Sequence, residues 1–188
     1  MNFKDQPWYL EKACRAQFMQ HGFPCLAMRT PGLGAWCGYV AVGGTHPAFG
    51  KENVDLSVHG GITFHGPQNE RHRFHPVNPE RQLWFFGFDC AHWRDVTPAL
   101  DVIESQLTSK ELDPRGGMAM LANLMREGMP EHMRPTWKDL NFVKGQCEQM
   151  ALQLHEMAPS ALPEIQEIVW EVSEEEREEV VARFSLKS

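Results

Sequence analysis

The chain has 188 residues, 42% of them hydrophobic, with eleven Phe, ten Met and six Trp, enough for one domain with a packed core and too apolar for a mainly disordered chain. Its net charge of −7 argues against general nucleic-acid binding, which needs a basic footprint; the local exception is the cluster Arg71, His72, Arg73, His75 and Arg81. The opening "MNFKDQPWYLEKACRAQF" has no apolar h-region, and no window of about 18 apolar residues exists, so neither a signal peptide nor a membrane span is expected.

Residues 5–20 are expected to be helical. Trp8, Leu10, Ala13, Phe18 and Met19 suggest an apolar stripe, Pro7 fits a first turn, and His21-Gly22 would stop the helix. "FPCLAMRT" (23–30) and "AWCGYVAV" (35–42) read as strands flanking the turn "PGLG". "GGTHPAFGKEN" (43–53) reads as a loop. In "VDLSVHGGITFHG" (54–66), Val54, Leu56 and Val58 alternate with Asp55, Ser57 and His59, the period of a strand with one polar face. Gly60-Gly61 interrupts that strand, as a bulge or tight bend would. Residues 67–81 form a polar, proline-containing loop, and "QLWFFGFD" (82–89) is apolar enough for a central strand.

Beyond residue 93 the pattern turns helical. Thr97 and Pro98 suggest the start of a helix over 97–107. Residues 96–135 read as a variable insert with a short helix near 117–126. The clearest helix is 136–157, where Leu140, Val143, Cys147, Met150, Ala151 and Leu154 fall on one face. The last segment, 158–188, reads as an extension: a strand or extended tail over 163–172, then an acidic helix over 173–184 with a Ser173–Glu176 capping box. These elements predict a single α+β domain, a mainly antiparallel sheet with helices packed on it.

Six of the nine histidines, His46, His59, His65, His72, His75 and His92, lie in the predicted sheet and its loops. Imidazole and carboxylate are the ligands of divalent transition metals. If 54–59 and 82–89 were neighbouring strands, His59, His65, Asp89 and His92 could meet as metal ligands, with Asp95 nearby. With or without a metal, Asp89, His92 and His59 are the candidate catalytic residues. Asp89 as the cap of a helix starting at Cys90 would put His92, and then Asp95, on its side. Asp55, Gly60, Gly61, His46, Lys51 and Trp93 are the candidate ligand-binding residues around them; the glycine loops could present N–H groups to an anion, and Trp93 could stack a planar ligand. A metal site, an acid/base site, a polar pocket and a hydrogen-bonded structural network all remain open for this cluster. Five scattered cysteines without a CxxC pair read as reduced thiols, not a cysteine-rich zinc site, and Cys90 reads as a buried filler before a nucleophile.

"GYVAVGGTHPAFGK", "VHGGITFHG", "WFFGFDCAHWRD" and "WKDLNFVKGQCEQMALQL" resemble an uncharacterised family of small bacteriophage and prophage proteins, over about residues 36–95 and 136–155. The family pattern, HGG[IL]T and W[WF]FGFDCAH, falls on His59, Gly60, Gly61, Asp89, Cys90 and His92. Trp137 and Phe142 stand where that pattern has tyrosines. The resemblance implies a phage-related protein in a host bacterial cytosol and carries no assigned reaction. Together the readings lead to two expectations. One is metal-assisted or acid/base hydrolysis of a small phosphate- or nucleotide-like substrate. The other is a non-enzymatic accessory or anti-defence protein that binds a host protein or sequesters a nucleotide signal. Neither involves a membrane.

Overall fold

The computed structural model describes residues 5–67, 82–102, 128–162 and the backbone of 171–174. The predicted helix near 117–126, the basic cluster at 71–81 and residues 175–184 of the acidic helix lie outside them.

The first departure from the sequence reading comes at residue 13. Pro7–Leu10 makes one helical turn, α1, and the chain then runs as strand β1, Ala13–Gln20, instead of continuing the helix. His21-Gly22, read as a helix stop, is a two-residue hairpin turn. Both residues have positive φ, 49° and 83°, as the turn that matches the twist of paired strands requires. It joins β1 to β2, Phe23–Arg29, with Gln20 opposite Phe23. Ala16 and Phe18 then face the same side as Phe23, Cys25 and Ala27, all in one buried cluster. Packing on a sheet thus overrides the helix-like spacing of the apolar residues.

Strand β3, Trp36–Gly43, is buried along its whole length and pairs with β2. Strand β5, Leu83–Asp89, pairs with β3 on one side and with the short edge strand β4, Phe64–Pro67, on the other. β6, Glu171–Glu174, borders β1. The sheet order is β4-β5-β3-β2-β1-β6, with every pairing antiparallel. Ser173 pairs with Arg15 inside β6, so it is a strand residue and not the N-cap of a helix.

Helix α2, Leu140–Met157, lies on one face of the sheet. Asp139 caps it by accepting a 2.8 Å hydrogen bond from Phe142 N. It buries Val143, Cys147, Met150, Ala151 and Leu154, the face its spacing predicts, against Phe18, Phe23, Val40, Phe86 and Phe88. Each large side chain so buried stabilises the fold by about 1.5–3 kcal/mol. The opposite face of the sheet buries Leu26, Tyr39, Ala41, Leu83 and Phe85. Residues 98–102 are helical, with the Leu100 and Asp101 amides donating to Thr97 O. No helix among the described residues is long and apolar enough to cross a membrane.

One polar knot ties the end of α2 to the sheet. Glu11 Oε2 accepts from Trp36 Nε1 and Trp137 Nε1 at 3.0 Å each and from Arg29 at 3.1 Å, while Oε1 accepts from Leu140 N at 2.8 Å. The Arg29 guanidinium lies 5.3 Å from the Trp36 ring centroid and 5.2 Å from that of Trp137. Trp36 is therefore a structural donor.

Candidate functional site

Residues 54–58 form no strand of the sheet, and His59 opens a turn closed by Gly61 N to Val58 O, 3.0 Å. The adjacency of 54–59 and 82–89, the condition for that grouping, is not made: the neighbour of β5 on that side is β4. Side chains of α2 satisfy the 54–59 backbone instead. Gln153 takes the Ser57 amide on Oε1 at 2.7 Å and donates Nε2 to Ser57 O at 2.9 Å; Gln146 Oε1 takes the His59 amide at 2.7 Å. Leu56 is buried beneath this strap, and Asp55 and Ser57 are exposed. The strap delivers His59 to the first turn of α2, where its ring meets that of Phe142 edge-on, centroids 5.2 Å apart.

The second contribution comes from the turn after β5. No helix starts at Cys90. Asp89 uses Oδ1 to accept the Ala91 amide at 3.0 Å, and residues 92–95 close a turn through Asp95 N to His92 O, 2.8 Å. The third comes from the approach to α2. Asp95 and Thr136 form a parallel bridge, flanked by Val96 N to Thr136 O and Thr136 N to Arg94 O, both 3.0 Å.

These three pieces converge on Asp95, whose side chain is 0% exposed. One of its oxygens, Oδ2, accepts from His59 Nε2 at 2.8 Å, from the His92 amide at 3.0 Å and from His92 Nδ1 at 3.2 Å. A carboxylate only accepts, so these hydrogen bonds put the protons on His59 Nε2 and His92 Nδ1. The other ring nitrogens belong to imidazoles that are 23% and 33% exposed. Oδ1 is buried and accepts no hydrogen bond among the described residues. The nearest charge to it is Lys138 Nζ, at 3.9 Å.

His59, His92 and Asp95 each offer one ligand atom to a group within 4.8 Å. Metal–ligand bonds of 2.0–2.2 Å set neighbouring ligands about 2.8–3.1 Å apart at right angles and about 3.3–3.6 Å apart in a tetrahedron, so the 2.8 and 3.2 Å found here suit the right-angled arrangement better. A nitrogen that donates to Asp95 cannot at the same time ligate a metal. The site therefore has two exclusive chemistries, a doubly braced His–Asp acid/base group or a two-His, one-carboxylate metal centre with open positions.

The predicted residues sort accordingly. His59 and His92 meet; Asp89 and His65 stand outside the group, Asp89 because its side chain closes its own turn and His65 because it lies exposed on β4. Asp95, a secondary candidate in the sequence, is the centre. Gly60 has φ +69° and abuts the His92 ring; Gly61, φ +83°, faces open space. His46 is a core residue. Its Nδ1 accepts from Ala48 N at 3.1 Å, so Nε2 donates to Leu154 O at 3.0 Å, filling both ring nitrogens and satisfying a carbonyl in the last turn of α2. Lys51 is exposed, and its carbonyl accepts from Trp84 Nε1 at 3.1 Å. Trp93 is 71% exposed, with the Arg94 guanidinium 5.7 Å from its centroid. Cys90 is buried; burial, reinforced by the Asp95 charge, pushes its thiol well up, which removes it as a nucleophile. Lys138, at the edge of the site, carried no signal in the sequence, and Phe142 only that of a position where the resembled pattern has a tyrosine.

The fold and the site define an α+β protein with two imidazoles gathered on one buried carboxylate. No protein-family model, curated protein or solved structure matches the chain.

Proposed function

We propose that the chain is a small hydrolase that activates water at His59, His92 and Asp95, with a divalent transition metal held by His59 Nε2, His92 Nδ1 and Asp95 Oδ2, and that its substrate is a small phosphate- or nucleotide-like molecule. The observation that carries this reading is the convergence of His59 Nε2 and His92 Nδ1 on Oδ2 of a fully buried carboxylate. A bound metal would supply a water whose pKa falls towards about 7 and would polarise the scissile centre. The half-exposed imidazoles leave a solvent side on which water and substrate can be placed, and Phe142 excludes water from one edge of His59. On the resemblance drawn from the sequence, the setting is an infected bacterial cytosol.

The test is elemental analysis of protein purified without an affinity tag or chelator, beside His59→Ala and His92→Ala, followed by assay against phosphomonoesters, phosphodiesters and nucleotides. About one equivalent of metal, lost in both folded variants, with metal-dependent turnover, is the expected result. Turnover without metal would replace this mechanism by acid/base catalysis on the His–Asp pairs.

The exposed Trp93 ring beside His92 favours one second reading, a binding protein that captures a host protein or a nucleotide without turning it over. In that case Trp93→Ala abolishes capture, while His92→Ala leaves it intact.

A further inference from the structure

A carboxylate withdrawn from water needs a compensating charge. For Asp95 that charge is Lys138, the one Lys or Arg within ion-pair distance of it among the described residues. Its neighbour Arg94 is committed elsewhere, donating to His132 O and resting over Trp93. Lys138 does not hydrogen-bond the carboxylate. Its ammonium donates to Thr136 Oγ1 at 2.7 Å and lies 5.1 Å from the centroid of the Phe142 ring. Thr136 is the bridge partner of Asp95, and Phe142 packs on His59. The ammonium is thus parked at the edge of the site by the same residues that build it, on the Oδ1 side, opposite the oxygen that faces the two imidazoles.

We propose that Lys138 is a tethered counter-cation that competes with the metal for Asp95. This rests on the metal reading above. With no metal, Lys138 neutralises the carboxylate and the two imidazoles donate to it. When a divalent cation binds on the Oδ2 side, it and the ammonium become like charges across one carboxylate, and each weakens the hold of the other. Lys138 is 20% exposed, and its flexible four-carbon stem lets it swing outwards. The consequence is a metal site of deliberately moderate affinity, one that exchanges its ion, unlike a closed structural site.

The experiment is titration with Co2+, whose visible bands report the ligand set, on wild type, K138M and K138R, with D95N as the control that should lose binding. K138M keeps the stem over Phe142 and removes the charge. It is expected to bind Co2+ at least about ten-fold tighter than wild type, with the same band positions, while K138R stays within about two-fold. Circular dichroism checks the fold of each variant, and K138Q replaces K138M if that variant is unfolded without metal. If Co2+ binds wild type and K138M equally, or K138M more weakly, the competition is wrong and the metal site stands. If neither wild type nor any Lys138 variant binds Co2+, both proposals fall together.

Discussion

A Cβ added to Gly60 would stand 1.9 Å from Cε1 of His92, so the imidazole occupies the space that any side chain at residue 60 would need. The φ of +69° at Gly60 adds a second demand that only glycine meets without strain. The second residue of the "HGG" stretch is thereby a part of the site, although it contributes no functional group.

Gly60→Ala is therefore expected to displace the His92 ring while the sheet and α2 remain. Stability should fall by about 1–3 kcal/mol through backbone strain. Metal binding and any activity should fall much further than stability does. A folded Gly60→Ala protein whose cobalt spectrum equals that of wild type would contradict this placement.

Asp95→Asn and Asp89→Asn should separate cleanly. Asparagine at 89 can still accept the Ala91 amide on its carbonyl oxygen, so metal content and activity should survive. Asparagine at 95 removes the charge that both imidazoles and Lys138 share, so both properties should be lost. Metal stoichiometry on the two purified variants decides it; retention in Asp95→Asn would remove the proposed centre.

Glu11→Gln should cost about 2–4 kcal/mol of stability and leave His59, His92 and Asp95 in place. One oxygen would become an NH2 facing either the Trp36, Trp137 and Arg29 donors or the Leu140 amide, none of which can accept from it. Urea denaturation at an unchanged m-value measures the loss. A midpoint within error of wild type would mean the knot is dispensable.

Two buried thiols give a pH dependence. Burial holds Cys90 protonated, with Asp95 adding to the effect, and burial does the same to Cys25, with Cys147 beside it. Unfolded thiols ionise near pH 8.5. Below that pH both states keep their protons and stability is unaffected. Above it the unfolded chain releases protons that the folded chain retains, so stability falls as pH rises. The urea midpoint should drop between pH 7.5 and 9.5, and less so in a Cys25→Ala/Cys90→Ala double variant. The same slope in both proteins would assign the loss to other groups.

The strands β2, β3 and β5 and the buried face of α2 were legible because each is an apolar run or a period that packing then uses. β1 was not: Trp8, Leu10, Ala13 and Phe18 mimic a helical stripe, and only the positive φ of His21 and Gly22 shows that the stretch doubles back. The alternation over 54–59 reads as a strand, but these residues join no sheet, because their backbone partner lies on α2. That partner is two glutamine side chains, 87 and 96 residues away. At the site, His59 and His92 could be named from their residue types. Choosing Asp95 over Asp89 depended on which carboxylate its own turn consumes, and Lys138 enters only through the bridge between Asp95 and Thr136, a pairing without local pattern.

The strap that carries His59 leans on Gln146 and Gln153 and not on a strand ladder. A segment held by side-chain hydrogen bonds, one buried leucine and the half-buried Val54 and Val58, without a strand ladder, opens at a lower free energy than a six-stranded sheet. Partial denaturation should thus strip His59 from its partners while the rest of the molecule is still intact. In hydrogen exchange, the amides of Ser57 and His59 should be released well before those of β3. Loss of function under mild stress would then be reversible and would precede melting, with the strap acting as the weakest joint in the molecule and the centre failing at that joint first.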